Sequence, residues 1–398
     1  MFGAIYIGLS GLNAYSEGLK RVSNNVTNLN TAGFKGSTVS FQNYFGGGDT
    51  GGLSFNIDHK GSGNGVGTAD QQLNLKQGEL SQTDRDLDLA VDGTGFLVLL
   101  KGSEIAYTRT GSFEVDKDGF VVLSGTEYRL ATLDDSARPI SLSIDSKRTS
   151  LPAPTTKIAF ADYLSVSATT YSIPDLKLYD QRGGEHLWSV KFDRDSSAGG
   201  DVWKVNITDS KGGTIAEQVL KFTSLGAVDP DTATLTVTRT DSDTAVPDFT
   251  VSLDFSAARS LSAGTISTLR SSSIDGYGVG TLTTVAVNAK GEMELGYSNG
   301  QKVSLGAVAI GDFRDPQSLE QKSGGLFVYT GTGEHGFLRS EDPRVGQILG
   351  KRIEASNVDL SKEFGDLILI QRGFQASSQI VSVSNDMIQQ LFGIRGQG

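Results

Sequence analysis

One short segment of the sequence has the residue spacing of a hydrolase nucleophile. Residues 296–300 read Gly-Tyr-Ser-Asn-Gly, a pattern in which Ser298 would attack an ester or amide carbonyl. That chemistry requires the serine to lie at a sharp turn between a strand and a helix. Here Asn299 and Gly300 stand between two segments of alternating polarity, which predicts a hairpin turn instead. We therefore expect a structural role for this serine.

The acidic residues and histidines do not have the spacing of a metal site. Asp84, Asp86 and Asp88 resemble the start of a calcium loop, but Leu89 replaces the required glycine and Gly95 replaces the twelfth-position glutamate. The histidines lie in separate segments without a ligand at metal-binding spacing, so we expect surface or turn positions for them. They are His59, His186 and His335. The glycines of 61–67 and 276–280 do not join a strand to a helix start, as phosphate-binding loops do, and we predict no cofactor.

Length and composition predict a multidomain, mainly β protein. The 398 residues exceed what one typical core needs, and 50 glycines with 8 prolines favour short strands joined by turns. The net charge of −11 disfavours nucleic acid as a partner. The absence of cysteine excludes disulfides and thiolate metal sites. No apolar run approaches the roughly 18 residues of a membrane span, and the first residues lack the basic region of a secretory leader. We expect no membrane insertion, and export, if it occurs, by another route.

The two ends of the chain are predicted to be amphipathic helices. Apolar residues recur in steps of three and four over residues 12–29, and the same stepping runs through residues 360–392 with polar interruptions. Because the sequence between these segments predicts strands, the simplest partners of the helices are each other and further copies of the chain.

The middle of the chain is predicted to hold one β domain inserted in another. Strand signals recur at 171–179, 186–192, 202–207 and 233–239, and they resume after residue 281 with turns at Lys290-Gly291 and Asn299-Gly300. A Gly-rich stretch reads as a connector that is flexible unless neighbours hold it. The predicted domains are a helical domain (1–30 with 357–398), a connector (31–71), an inner β domain (72–145 with 280–356) and an outer β domain (146–279).

Several segments resemble one protein family. Residues 23–35 (Ser-Asn-Asn-Val-Thr-Asn-Leu-Asn-Thr-Ala-Gly-Phe-Lys) resemble the N-terminal signature of bacterial flagellar rod, hook and hook-associated axial proteins. Residues 77–96 look like the segment that opens the first β domain of this family, and residues 357–376 resemble its C-terminal helix. In the middle, residues 178–186 and 275–280 are similar to the hook proteins of the family.

The resemblance implies a non-catalytic structural subunit of a bacterial flagellar hook. Its fold would be nested β domains with terminal α-helices that form an α-helical coiled-coil inner domain. Copies would polymerise into a curved hollow tube that acts as a universal joint outside the cell, attached to the basal body. Implied partners are further copies of the chain, the distal rod protein, the hook-associated junction protein, the hook cap protein and the flagellar type III export apparatus, which would export the chain without a cleaved leader.

The helix seams, the N-terminal signature and the motif of the C-terminal helix supply the residues that we predict to hold copies together. The seams supply Leu12, Tyr15, Leu19, Val22, Val26, Leu29, Leu360, Phe364, Leu367, Gln371, Phe374, Val381, Ile388 and Phe392. The motifs add Asn24, Asn25, Asn28, Asn30, Thr31, Gly33, Phe34 and Arg372.

Three alternatives stay open at this point. A distal rod or hook–filament junction protein would share the same chain ends. A secreted β-rich adhesin or carbohydrate-binding protein would need rows of exposed aromatic side chains, to which Trp188 and Trp203 could belong, although core packing is expected for both. An extracellular hydrolase would depend on Ser298.

Overall fold

The computed structural model describes residues 2–38, 40–43, 65–68, 72–198, 201–239, 248–262 and 264–395. Over these residues the chain is mainly β, with one long helix at each end, α1 (Phe2–Thr27) and α2 (Leu360–Arg395). The predicted fold class of a mainly β protein with terminal helices is therefore confirmed. His59 and much of the predicted connector, residues 44–64 and 69–71, lie outside the described residues. Among the described residues, no helix is long and apolar enough to cross a membrane.

Side chains define the inner ends of the two helices. Thr27 Oγ1 and Asn28 Nδ2 donate hydrogen bonds to the carbonyls of Ser23 and Asn24, which ends α1 two residues before the predicted Leu29. The prediction that Leu29 continues the helix was therefore wrong. α2 begins after Asp359, whose carboxylate accepts from backbone N–H groups of the first turn at 2.9 and 3.3 Å.

The chain divides into two compact units. The first contains Met1–Asp145, Val285–Leu295 and Ser304–Gly398, and the second contains Ser146–Thr284 and Gly296–Val303. The division into helical, connector, inner and outer domains stays a prediction.

The first unit is built on an eleven-stranded sheet, counted over the described residues. Its core includes Phe96 and Tyr107, which make edge-to-face contacts with Phe313, while Phe327 packs on Phe96 with a ring separation of 5.3 Å. The strands, in spatial order, are Leu319–Gln321, Leu326–Tyr329, Glu104–Thr108, Phe96–Lys101, Arg129–Leu130, Val121–Leu123, Thr110–Val115, Asp88–Asp92 and Gln347–Gly350, and Ile310–Phe313 joins Phe96–Lys101 and His335–Leu338.

Short strand pairs hold the described part of the predicted connector against the rest of the first unit. Phe34 and Ser37 are buried there, so neighbours do fix this stretch. The connector takes part in two pairs, Ser37–Thr38 with Gln72–Leu73 and Phe41–Asn43 with Val66–Thr68. Two further short pairs of the first unit lie outside the connector, Leu80–Gln82 with Arg352–Glu354 and Thr132–Leu133 with Pro139–Ile140.

The second unit has two four-stranded sheets over one apolar core. Trp188 and Trp203 lie fully inside that core, and Phe160 stacks on Phe255 with ring centroids 4.4 Å apart. The expectation that both tryptophans pack in a core is confirmed, so neither belongs to an exposed aromatic row. One sheet has the order Thr170–Tyr179, Glu185–Arg194, Asp201–Asp209, Thr214–Phe222, and the other Thr234–Arg239, Phe249–Leu261, Lys157–Ser165, Arg270–Ile274.

A further four-stranded sheet carries the serine of the hydrolase-like pattern. Ser298 lies in a hairpin between two of its strands, and Gly300 has the positive φ of 76° that this turn requires. Ser298 Oγ accepts a hydrogen bond from the backbone N–H of Thr281 at 3.0 Å. The predicted hairpin is thus confirmed. The strands are Thr149–Ser150, Gly280–Val287, Glu292–Tyr297 and Lys302–Ala307, and the described 3₁₀ turns are Asp145–Lys147, Pro230–Thr232, Pro316–Ser318 and Ser323–Gly325.

One histidine prediction was wrong. His186 is not a solvated surface residue, because 17% of its side chain is exposed and its Nε2 lies 3.0 Å from Asp180 Oδ2. The turn at Gly183 and Gly184 folds the chain back so that a residue six positions earlier becomes its partner. His335 is exposed, as predicted, and its ring stacks on Phe313.

A buried ion cluster joins three distant parts of the first unit. Glu354 Oε1 accepts from Lys35 Nζ at 2.6 Å and Oε2 accepts from Arg109 Nε at 3.1 Å, and all three side chains are at least 98% buried. Lys35 Nζ also donates to the carbonyl of Lys76, and the backbone N–H of Gly78 donates to Glu354. Burial lowers the pKa of both cations, and the carboxylate of Glu354 opposes that shift.

Loss of the charge on Glu354 should strongly destabilise the first unit. In Glu354→Gln two buried cations lose their counter-charge, and we expect the free energy of unfolding to fall by about 3–5 kcal/mol. Urea unfolding of the full chain measures this change. Glu320→Gln is the matched control, because Glu320 pairs with Lys322 at the surface and its loss should cost less than about 1 kcal/mol. Equal effects of the two substitutions would contradict the assignment.

Candidate functional site

The terminal helices pair with each other in antiparallel orientation. The amide of Asn25, near the end of α1, meets Glu363 at the start of α2, whereas Gly8, near the start of α1, faces Val381 far along α2. The expectation that the helices are each other's partners is confirmed. The buried residues of α1 are Gly8, Gly11, Ala14, Gly18, Val22 and Asn25, and those of α2 are Glu363, Ile370, Ser377 and Ser384.

Small side chains let the two helices approach closely. A Cβ atom on Gly8 would lie 2.8 Å from Val381 Cγ2, and one on Gly11 would lie 2.5 Å from Ser377 Oγ. A Cβ atom on Gly373 would lie 2.3 Å from Cζ of the Tyr15 ring. Because these distances are shorter than real Cβ contacts, larger residues at these positions would force the helices apart.

Some of the predicted seam residues of α1 lie in the contact with α2, and others lie at the surface. Val22 is buried, Leu12, Tyr15 and Val26 are half-buried, and Leu19 is exposed. Leu29 follows the helix end and is half-buried.

On α2 the face that contacts α1 differs from the predicted seam by one residue at several positions. The buried residues recur every seven positions from Glu363, whereas the prediction followed the larger apolar series that begins at Leu360 and Phe364. The physical reason is the close approach, which selects small side chains such as Ser377. Of the predicted residues, Leu367, Val381 and Ile388 are half-buried, Leu360, Phe364, Gln371, Arg372 and Phe374 are exposed, and the side chain of Phe392 lies outside the described part of the chain.

The pairing leaves many large apolar side chains in contact with water. Leu369 is 68% exposed and Tyr6 is 64% exposed, although both lie on helices whose other faces are covered. Such a density of exposed apolar residues is typical of an interaction surface. We call this set the outer helix face: Tyr6, Ile7, Leu9 and Leu19 on α1, and Leu360, Phe364, Ile368, Leu369, Phe374, Ile380, Val383 and Met387 on α2.

Asn25 fixes the base of the helix pair. Its Nδ2 donates to the carbonyl of Ser37 at 2.9 Å and to Glu363 Oε1 at 3.0 Å, and its Oδ1 accepts from the backbone N–H of Ser37 at 3.0 Å. One buried amide therefore ties α1 to α2 and to the strand that follows α1.

The remaining signature residues shape the turn after α1. Thr31 Oγ1 donates to Asn28 Oδ1 at 3.1 Å, and Asn28 Nδ2 donates to Asn24 Oδ1 at the same distance. Gly33 has a φ of 68°, and its N–H donates to the carbonyl of Glu354 at 2.8 Å. Phe34 is buried beside it, whereas Asn24 and Asn30 are exposed.

Asn357 plays the equivalent part at the start of α2. Its Oδ1 accepts from the backbone N–H of Gly36 at 2.9 Å, and its Nδ2 donates to the carbonyls of Asn74 and Lys76 at 2.6 and 2.7 Å. The chain before α2 is thereby joined to the connector at Gly36 and to the segment that follows the connector at Asn74 and Lys76.

Several residues that organise this site were missing from the predicted set. Asn357, Glu363 and Lys35 stood within the recognised motifs, which was the available signal. Arg109 and Glu354 had none, because their partners are distant in sequence and neither belongs to a periodic pattern.

The carboxyl group of Glu363 is unfavourably placed for a charge. Burial raises its pKa, the hydrogen bond from Asn25 acts in the opposite direction, and the nearby Asp366 raises the pKa further. A carboxyl whose pKa is raised on folding stabilises the folded state below its unfolded pKa, and this contribution is lost as the pH rises through the folded value. At neutral pH the ionised group therefore weakens the helix pair.

Glu363→Gln should remove this pH dependence. Glutamine keeps an oxygen that can accept from Asn25 but carries no charge, so we expect the variant to unfold at a higher temperature than the parent chain at pH 7. The difference should shrink as the pH falls toward 4.5, the unfolded value of the group. Thermal unfolding followed by circular dichroism at both pH values measures it. A difference that does not change with pH would contradict the assignment.

Four family models match the chain in the order of its elements. All four describe parts of flagellar axial proteins. They are "Flagella basal body rod protein" (residues 5–35), "Flagellar hook protein FlgE/F/G D1 domain" (90–161), "Flagellar basal body protein FlaE D2 domain" (143–277) and "Flagellar basal body rod FlgEFG protein C-terminal" (350–394).

Curated relatives match over nearly the whole chain. The flagellar hook protein FlgE of Borreliella burgdorferi is 27% identical over 99% of this chain and 100% of its own length. FlgE of Salmonella typhimurium is 26% identical over 97% of this chain and 98% of its own length. The crystal structure of Helicobacter pylori flagellar hook protein FlgE2 aligns with a TM-score of 0.42 at 14% identity, over 70% of this chain and 100% of that one. From the family models and the full-length relatives, the chain belongs to the flagellar hook protein family, which is a family of structural proteins and not of enzymes.

Proposed function

We propose that the chain is a structural subunit of the flagellar hook and that it polymerises through the outer helix face. The observation that carries this proposal is the exposure of large apolar side chains on both terminal helices after the helices have paired, with Leu369 68% and Leu9 58% exposed. Neighbouring copies can cover these side chains without disturbing the small-residue contact between α1 and α2.

The energetics favour association of many copies. Fully burying one large apolar side chain contributes about 1.5–3 kcal/mol, and the outer helix face presents such side chains along both helices. Part of that gain offsets the lost translational and rotational freedom of each subunit. Because exposed apolar residues lie around both long helices, one copy can contact several others. A head-to-tail contact that rotates each copy by an angle that does not close a ring produces an open helical tube.

The family membership supports a proposal for the specific proteins that the polymer contacts and for its location. In this proposal the tube meets the distal rod protein at one end and the hook-associated junction protein at the other, grows beneath the hook cap protein, and receives subunits from the flagellar type III export apparatus. It lies outside the cell, attached to the basal body, and acts as a curved universal joint that passes torque from rod to filament.

The alternatives have less support. A distal rod or junction protein shares the helical ends, but the curated relatives described above are hook proteins over nearly their full length. An adhesin or carbohydrate-binding protein would use exposed aromatic residues, whereas Trp188 and Trp203 are in a core.

Phe374→Asp should abolish polymerisation and leave the β units folded. Phe374 is 42% exposed, so a carboxylate is tolerated in the isolated chain but would be buried between copies at high cost. Sedimentation of the purified chain under polymerising conditions measures assembly, and β circular dichroism measures folding. Phe374→Leu is the control that keeps the apolar surface and should polymerise. Loss of the β signal in Phe374→Asp, or normal assembly, would refute the assignment.

Electron microscopy of the polymer distinguishes the hook from the rod. We expect curved hollow tubes from the unmodified chain, because a universal joint must hold its subunits at unequal spacings around the tube. Straight tubes would favour the distal rod alternative, and monodisperse particles under all conditions would contradict polymerisation itself.

A further inference from the structure

Two cations of the buried ion cluster share one carboxylate. Glu354 pairs with both Lys35 and Arg109, so the three side chains carry a net positive charge when all of them are ionised. All three are buried, where an excess charge is costly. Burial lowers the pKa of Lys35 for this reason, and loss of a proton from its ammonium group would remove the excess charge and produce a free amine, which is a nucleophile.

The side-chain amide of Asn357 lies beside this lysine. Lys35 Nζ and Asn357 Nδ2 both donate to the carbonyl of Lys76, each at 2.7 Å, so the two nitrogen atoms are joined by two hydrogen bonds that meet at one oxygen. Asn357 Oδ1 is also held, because it accepts from the backbone N–H of Gly36, the residue after Lys35, at 2.9 Å. The amine and the amide carbon Cγ are therefore fixed in one small polar site.

We propose that this site forms an intramolecular amide bond between Lys35 Nζ and Asn357 Cγ, with Glu354 as the catalytic base and acid. Glu354 Oε1, which lies 2.6 Å from Nζ, takes up a proton, and the freed amine attacks Cγ. The bond from Nζ to Cγ forms, and the bond from Cγ to Nδ2 breaks. Two protons pass in turn from Nζ through Glu354 to Nδ2, which leaves as an ammonium ion. One lysine ammonium group and one primary amide thus become one secondary amide and one ammonium ion, and Glu354 ends as a carboxylate.

The hydrogen bonds of the site suit each stage of this reaction. The backbone N–H of Gly36 donates to Oδ1 of Asn357, where negative charge develops when the amine attacks. The carbonyls of Asn74 and Lys76 accept from Nδ2 at 2.6 and 2.7 Å, so they hold the leaving nitrogen as it gains protons. The excess positive charge departs with the ammonium ion, and Glu354 remains in a neutral pair with the arginine of the cluster.

The bond connects the two ends of the β part of the chain. Lys35 precedes the strand Ser37–Thr38, and Asn357 follows the strand Arg352–Glu354, so the covalent ring contains all the strands of the described residues. Such a link restricts the unfolded chain as a disulfide does, in a protein that has no cysteine. The reaction takes place within each copy, so it does not depend on the proposed polymerisation.

Intact mass spectrometry of the purified, folded full chain tests the bond. We expect a mass that is lower than the sequence mass by one ammonia molecule. Trypsin should then release a branched peptide in which residues 22–60 are joined through Lys35 to residues 353–362, because the enzyme does not cleave after the modified lysine. A folded chain with its full sequence mass, or a digest that contains only unlinked peptides, would overturn the inference.

Two alanine variants separate this bond from another way of losing ammonia. Asn357→Ala removes the reacting amide, and we expect its full sequence mass. Asn299→Ala is the matched control, because Asn299 precedes Gly300 and a cyclic imide at that pair would change the mass by the same amount. We expect Asn299→Ala to keep the loss of ammonia, and a full sequence mass in this variant would contradict the assignment. The branched peptide comes from the chain without substitutions, so the test does not require Asn357→Ala to fold.

Discussion

The carboxylate of Glu354 is the group on which the arrangement of the first unit depends. It neutralises Lys35, eight residues after the end of α1, and Arg109, which lies in the large sheet, while Glu354 itself stands six residues before α2. Because all three side chains are buried, each would be strongly unfavourable without the others, and the three chain segments must come together as one cooperative unit. The bases of both helices are thereby fixed relative to the sheet of their own unit.

That fixed base determines which helix faces remain free. Asn25 and Asn357 continue the polar junction outward, and beyond it glycine and serine bring α1 and α2 into close contact. A seam made of small residues buries little apolar area for its length, so the large side chains must point elsewhere. The helix pair is therefore hydrogen-bonded at its polar base and leaves large apolar side chains exposed to water.

Sequence patterns predicted the helices, strands and turns better than they predicted the contacts between them. The helices, most strands and the hairpin at Asn299 followed from periodicity and turn residues, and the tryptophans followed from size and hydrophobicity. The face of α2 that contacts α1 was not predicted, because the helical periodicity was traced through the large apolar residues. The close approach of the two helices instead places small residues such as Ser377 at the contact. The ion cluster and the pair of His186 with Asp180 could not be predicted, because folding brings these residues together and no regular spacing in the sequence marks them. The inter-subunit roles and the domain boundaries remain predictions.

The outer helix face, through which we propose that copies assemble, and the core of the second unit differ in kind. The outer helix face contains many large apolar residues along continuous helices, so displacing it would expose many contacts at once. The aromatic core of the second unit, by contrast, is made only of residues of that unit, so contacts formed through the outer helix face leave its packing unchanged.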